Sequence, residues 1–364
     1  MTTSRDFGAD RGLADLDDLL TWREASTSGT AIEEALAVAR AAPTGLTALF
    51  DGAERVILTG AGSSYYLARV AAAVMREVTG RVAMAVPPSE LILRPSGVLG
   101  ATPPDRQPVI VISRSGSTTE AVDVAERMHA ASHPTIGVTC RADSPLAGMS
   151  DVALISPAGD EAAIVMTRSF ASMLAMLLRV IAAGAPDSTL AADLDRLPDH
   201  WSEAVAAAQV GRALGAADHS RVVVLGGGPA AGIAAEWGLK LTETSQVATD
   251  TYEPLEFRHG PISVCEPGVL VVGLVGGSGA SEEARVVHEA ASLGADTWLI
   301  GREAGDVAGA PGATSVIGQG LHPSARLPLL VYPAHALALS LALVRGRDPD
   351  APRHLGQVVI LEHA

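Results

Sequence analysis

Apolar residues in this chain fall into two alternating forms: short continuous runs that end in glycine, and longer Ala-rich stretches that follow them. The run Arg55-Val-Ile-Leu-Thr-Gly-Ala-Gly62 leads into an Ala-rich stretch over Tyr65–Met75. Arg221-Val-Val-Val-Leu-Gly-Gly-Gly228 leads in the same way into Ala230–Leu241. A β-branched run closed by glycine predicts a buried strand, and the Ala-rich stretch after it predicts a helix. The pattern then recurs. Pro108-Val-Ile-Val-Ile-Ser-Arg-Ser-Gly-Ser-Thr-Thr-Glu120 matches Val271-Val-Gly-Leu-Val-Gly-Gly-Ser-Gly-Ala-Ser-Glu-Glu283, pairing Ser115 with Ser278 and Gly116 with Gly279. Thr135–Cys140 and Asp296–Ile300 read as third strands. Strands alternating with helices require right-handed crossovers and a parallel sheet. The chain is therefore read as two tandem α/β domains, each a parallel sheet flanked by helices in a flavodoxin-like three-layer sandwich. Residues 190–218 read as amphipathic helix between the copies.

Composition agrees with this reading. At 364 residues, 48% hydrophobic and 18% charged, the chain has room for two cores. Aromatics make up only 3%, so those cores must be built from Ala, Val, Leu and Ile. A net charge of −15 excludes a broad nucleic-acid face, although a local pocket can still attract a small anion. Cys140 and Cys265 form no metal or disulfide pattern and read as small buried hydrophobes; no cofactor is expected. The start, MTTSRDFGAD, has no basic-then-apolar leader, and residues 1–30 read as a mobile polar start and a first helix. The longest apolar run read from the sequence, Phe170 to Ala185, is broken by Arg179 and is shorter than a membrane span of about 20 residues. A cytoplasmic protein with no membrane partner is expected.

Chemistry enters at the strand ends. Gly60-Ala-Gly62-Ser63-Ser64 and Ser113-Arg114-Ser115-Gly116-Ser117-Thr118 each close a strand and open a helix. Helix starts offer free N–H groups and positive partial charge, glycine lets the backbone approach, and hydroxyls add donors. Such Ser and Thr can also be plain helix caps. Hydroxyls on two adjacent loops favour a phosphate cradle over caps. In the second copy Ser63-Ser64 become Pro229-Ala230 and Ser113 becomes Gly276, which puts the cradle in the first half. A dinucleotide fingerprint is incomplete, because Tyr65 stands where the third glycine belongs.

Lys240 is the only lysine in the chain. Lys240-Leu-Thr-Glu243 puts both charges on one face of an otherwise apolar helix. Buried charges there are either functional or a structural pair. His259 follows in the irregular loop Glu253-Pro-Leu-Glu-Phe-Arg258-His259-Gly-Pro261. A carboxylate base, a cation and a group titrating near neutrality are the set needed to move a proton between C1 and C2 of an opened sugar.

With these motifs assembled, the chain resembles double SIS (sugar isomerase) domain proteins, in particular the isomerase portion of glucosamine-6-phosphate synthase and the stand-alone amino-sugar-phosphate deaminases and isomerases. The likeness spans about residues 20–364 and is carried by GAGSS (60–64), SRSGSTTE (113–120), TRSF (167–170), LKLTE (239–243), EFRHGP (256–261) and DPDAPRHLGQ (348–357). It implies a first-helix segment over 1–30, a phosphate-binding domain over 31–200, a domain carrying the catalytic groups over 201–345 and a closing tail over 346–364. It also implies that Ser113, Ser115 and Thr118 bind phosphate, that Ser64 meets the sugar, and that Gly62, Ser63, Arg114 and Gly356 line the site. Glu243 would shuttle the C1/C2 proton, with Lys240 beside it. His259 would open the ring from the partner chain of a homodimer. The expected ligand is a hexose or hexosamine 6-phosphate. Two departures matter. There is no glutaminase domain with its nucleophilic Cys, and Gln357 replaces the tail lysine, removing any Schiff-base chemistry there. The expected activity is therefore amino-sugar 6-phosphate deamination with isomerisation, or aldose–ketose exchange. The alternatives are a non-catalytic phosphosugar sensor, a glutaminase-less paralogue of the synthase and a purely structural partner.

Overall fold

The computed structural model describes residues 13–42, 50, 52–185 and 188–361. The expected mobile start lies largely outside them. The chain divides into two compact units. One comprises Ser28–Glu161, Arg168–Pro198 and residues from Gly356 onward; the other comprises residues up to Thr27, Ala162–Thr167 and Asp199–Leu355.

In the first-repeat unit, α1 (Ser28–Arg40) precedes β1 (Val56–Gly60), α2 (Ser63–Thr79), β2 (Ala83–Val86), β3 (Val109–Ile112), α3 (Thr119–Ala130), β4 (Thr135–Thr139), β5 (Val152–Ile155) and α4 (Arg168–Ala183). The five strands are parallel in the order β2-β1-β3-β4-β5. Helices α1, α2 and α4 pack together on one face. On the other, Ala121, Val124, Ala125 and Met128 of α3 cover Ile57, Val109 and Val111.

The second-repeat unit repeats the plan. It contains α5 (Trp201–Gly215), β6 (Arg221–Gly226), α6 (Ala230–Ser245), β7 (Ala248–Tyr252), β8 (Val269–Leu274), α7 (Ala280–Ser292), β9 (Asp296–Gly301), β10 (Ala313–Val316) and α8 (Val331–Val344). Its order, β10-β9-β8-β6-β7, is the same topology. This two-fold α/β plan is the one expected from the sequence, with the strand order of doubly wound folds.

The strands read from sequence are the central ones, buried on both faces and therefore continuously apolar. The four strands missed, β2, β5, β7 and β10, are all sheet edges. β7 and β10 are polar (ATDTY, ATSV), which an edge tolerates, whereas β2 and β5 (AMAV, VALI) are four-residue apolar runs followed by proline or serine rather than closed by glycine. The pairing also shifts the internal repeat by one residue. Gly60 lies opposite Ile112 in the first sheet and Gly226 opposite Leu274 in the second, so Ser113 corresponds to Val275 rather than Gly276.

The most apolar helical segment is Leu327–Val344, not Phe170–Ala185. It is long and apolar enough to cross a membrane by composition, yet nearly all of it is buried inside the protein. It packs against α5 and α6 and is apolar on every side, as the central helix of a core must be.

Candidate active site

The hydroxyl loops lie at the carboxyl ends of the adjacent strands β1 and β3, where open α/β sheets bind ligands. Ser63, Ser64, Ser113, Arg114 and Ser115 are all buried. Neither α2 nor α3 is capped by the side chain of its N-cap residue. The N-cap of α2 is Gly62, which has no side chain, and Thr118, the N-cap of α3, makes no side-chain cap bond. Instead the Ser113 hydroxyl accepts from the Gly116 amide at 3.2 Å and lies 3.4 Å from the Thr118 hydroxyl. The Ser115 hydroxyl accepts from the Ser117 amide at 3.2 Å. The loop thus brings three of the expected phosphate ligands into one tight turn. Gly116 makes that turn possible. It has φ +62°, and a Cβ there would stand 2.1 Å from the Ser144 hydroxyl. Gly62 (φ +58°) faces open space.

Behind this loop lies a buried polar cluster that the sequence did not announce. The Arg114 guanidinium is 3.5 Å from the buried Glu161 carboxylate and donates to the Gln357 carbonyl at 2.6 Å. Gln357 in turn donates from its side-chain amide to the Glu161 carbonyl at 2.7 Å. The Val359 carbonyl accepts from the Thr119 amide at 3.2 Å, and the Leu361 amide donates to the Thr119 hydroxyl at 2.9 Å. Residues 357–361 are therefore laced along the Ser113–Thr119 side of their own unit. Gly356, just before them, is exposed. Cys140 sits under the loop, its amide bonded to the Arg114 carbonyl. Burial, reinforced by Glu161 and Asp160, pushes its thiol well above the usual range, which suits a packing role. Cys265 is only half-buried.

In the second-repeat unit, α6 carries a charge cluster on a mostly buried helix. The Lys240 ammonium is 2.6 Å from Glu243 and 3.5 Å from Glu236. Lys240 is 1% exposed and Glu236 is fully buried, whereas the Glu243 side chain keeps 19% of its surface open. Two carboxylates compete for one cation, and only Glu243 can meet a ligand. Glu236 was missed, although its spacing of four before Lys240 was legible. His259 lies in the exposed turn after Pro254–Phe257. Its side chain forms no hydrogen bond or ion pair with Lys240 or Glu243. Among the described residues, no group of three or more His, Cys, Asp or Glu side chains is placed to hold a metal ion.

Comparison with known proteins identifies the family. The SIS domain model matches residues 49–183 and 217–309, one match per repeat. A glutamine–fructose-6-phosphate aminotransferase (isomerizing) of Aeropyrum pernix is 30% identical over 86% of this chain, but the chain spans only about half (52%) of that relative's length. A Streptomyces coelicolor protein, whose assigned activity of D-galactosamine-6-phosphate deamination is itself a proposal, is 30% identical over 84% of this chain and 82% of its own. Among solved structures, a glucosamine-6-phosphate deaminase of Thermotoga maritima superposes with a TM-score of 0.76 at 26% identity, covering 94% of this chain and 99% of that one. With a model match to both repeats and relatives at this level, the chain belongs to the SIS domain family.

Proposed function

We propose that this chain is an amino-sugar 6-phosphate deaminase/isomerase, converting glucosamine 6-phosphate and water to fructose 6-phosphate and ammonia. Support comes from relatives of similar length that carry deaminase names. The observation that carries the reading is the α6 cluster, where a buried lysine holds a partly open carboxylate at 2.6 Å.

In this reading Ser113, Ser115 and Thr118 bind the phosphate, Ser64 meets the sugar, and Gly62 and Ser63 line the site beside it. Arg114 adds positive charge from behind the loop, and residues 356–361 close over it. The phosphate supplies orientation rather than chemistry. His259 of the partner subunit, in a homodimer, passes a proton to the ring oxygen as the ring opens. Glu243 takes the C2 proton, giving an enolamine, and returns it to C1, leaving an imine at C2. Water adds at C2 and ammonia leaves, so atoms balance. Lys240 stabilises negative charge developing on the C1 oxygen. A cytoplasmic setting fits such a substrate.

One observation favours a sensor instead. Gln357, standing where the synthase has lysine, is tied down at both its backbone and side-chain ends. The test is incubation with glucosamine 6-phosphate and galactosamine 6-phosphate, assaying ammonia and ketose phosphate alongside thermal shift. Ammonia release equal to ketose formed supports the enzyme. A thermal shift without product selects the sensor, and neither response overturns both readings.

A further inference from the structure

The second repeat kept the Gly-rich turns of an anion cradle but lacks most of the hydroxyls. The turns are Gly226–Gly228 after β6 and Val275–Gly279 after β8, again on adjacent strands. They are not empty. One carboxylate oxygen of Glu283 stands 2.4 Å from where a Cβ on Gly227 would lie. The other is 3.5 Å from the Gly276 amide. The carboxylate therefore touches both turns at once, as a bound oxyanion would. Beneath the second turn lies the fully buried guanidinium of Arg326, bonded to the Val275 carbonyl at 2.6 Å and the Ile317 carbonyl at 3.0 Å. Its nearest nitrogen would stand 3.1 Å from a Cβ on Gly276. Glu283 is half-buried on α7.

The sheet registers identify what stands in the same place in the first repeat. Ile112 matches Leu274, and in the next strand Ile136, opposite Ile110, matches Trp298, opposite Val272. That constant register sets Ala121 against Glu283. Ala121 is a buried methyl in the core cluster of its sheet, so the first repeat has no carboxylate at that position. Glu283 projects a carboxylate into the cradle of the second.

We propose that Glu283 is a built-in plug: its carboxylate occupies a second oxyanion cradle, formed by the turns at Gly227 and Gly276 over Arg326, and closes it to phosphate monoesters, so that each chain takes up only the phosphate held by the first repeat. The inference rests on the phosphate-binding reading for the first repeat, but concerns the second alone. Burial raises the Glu283 carboxyl above its usual range, against the pull of the Gly276 amide and Arg326.

The test counts phosphate. Equilibrium dialysis with labelled inorganic phosphate is run on the full chain, on Glu283→Ala, on Ser113→Ala/Ser115→Ala, and on the triple variant. The expected stoichiometries are one, two, none and one per chain. Glu283→Gln keeps the plug's shape and should stay at one. If the wild-type chain binds none, the first-repeat reading fails, yet Glu283→Ala should still gain one. If the loss of the carboxylate loosens the unit, phosphate should restore it. The melting temperature of the triple variant should rise by about 3 °C at ten times the dissociation constant, and not with chloride at equal ionic strength. No gain in stoichiometry and no phosphate-specific rise in melting temperature on removing Glu283 overturn the proposal.

Discussion

Replacing Lys240 by Met removes a charge while keeping the length of an unbranched chain. Glu236, fully buried, then loses the ammonium that stands 3.5 Å away. At an effective dielectric constant near 20, a unit pair at that distance attracts by about 5 kcal/mol. The loss has a ceiling, because Glu236 can take up a proton instead. At pH 7, neutralising a carboxyl with an ordinary pKa of about 4.3 costs about 3.7 kcal/mol. At pH 5 the same step costs only about 1 kcal/mol. Lys240→Met should therefore destabilise by about 3–4 kcal/mol at pH 7 and by about 1 kcal/mol at pH 5. Adding Glu236→Gln should recover most of the loss, since a neutral pair of similar volume is tolerated where a single buried charge is not. The assay is urea unfolding followed by tryptophan fluorescence. All four tryptophans, Trp22, Trp201, Trp237 and Trp298, lie in the second-repeat unit, so the signal reports on the unit that carries α6. A loss below about 1 kcal/mol at pH 7, or one that stays constant down to pH 5, refutes the reasoning.

Burial, with the charge of Lys240 added, pushes the His335 imidazole down to about 3. Below pH 6.5 the unfolded chain takes a proton that the native state refuses, so this group alone lowers stability by about 1.4 kcal/mol per pH unit as pH falls from 6.5 toward 3; His335→Leu should flatten the fluorescence-monitored slope by that amount, and an unchanged slope would exclude the assignment. Gly116→Ala forces a Cβ onto the Ser144 hydroxyl at a positive φ and should abolish phosphate binding, read by dialysis, while leaving the tryptophan transition in place. A thiol reagent at pH 8 should modify the half-buried Cys265 at least tenfold faster than Cys140, and equal rates would contradict the placement of Cys140 in the core.

What the sequence disclosed follows the physics of each feature. β1, β3 and β6 were legible because a strand covered on both faces must be a continuous apolar run. β7, which reads ATDTY, was not, because its residues are exposed or half-buried and an edge tolerates polar ones. Lys240 stood out as the single lysine, and Glu243 followed from helical spacing. Glu236 obeys the same spacing, but in an apolar stretch it reads as an isolated charge until its burial is known. The link between Arg114 and Gln357 spans 243 positions, and no local pattern encodes it. Glu283 was in plain view within the repeat. A contiguous alignment set it against Glu120, however, and only the strand register sets it against Ala121.

The central claim is that Glu243 carries a proton between C1 and C2 of a bound amino-sugar phosphate. It is tested most directly by running glucosamine 6-phosphate with the protein in deuterated water and following products by NMR. The mechanism predicts ammonia and fructose 6-phosphate whose C1 carries the substrate's own C2 hydrogen, or deuterium in the fraction of turnovers where the Glu243 proton exchanges with solvent before it is returned, and for Glu243→Gln normal substrate binding with neither product nor exchange. Exchange and product formation by Glu243→Gln at the wild-type rate would contradict it.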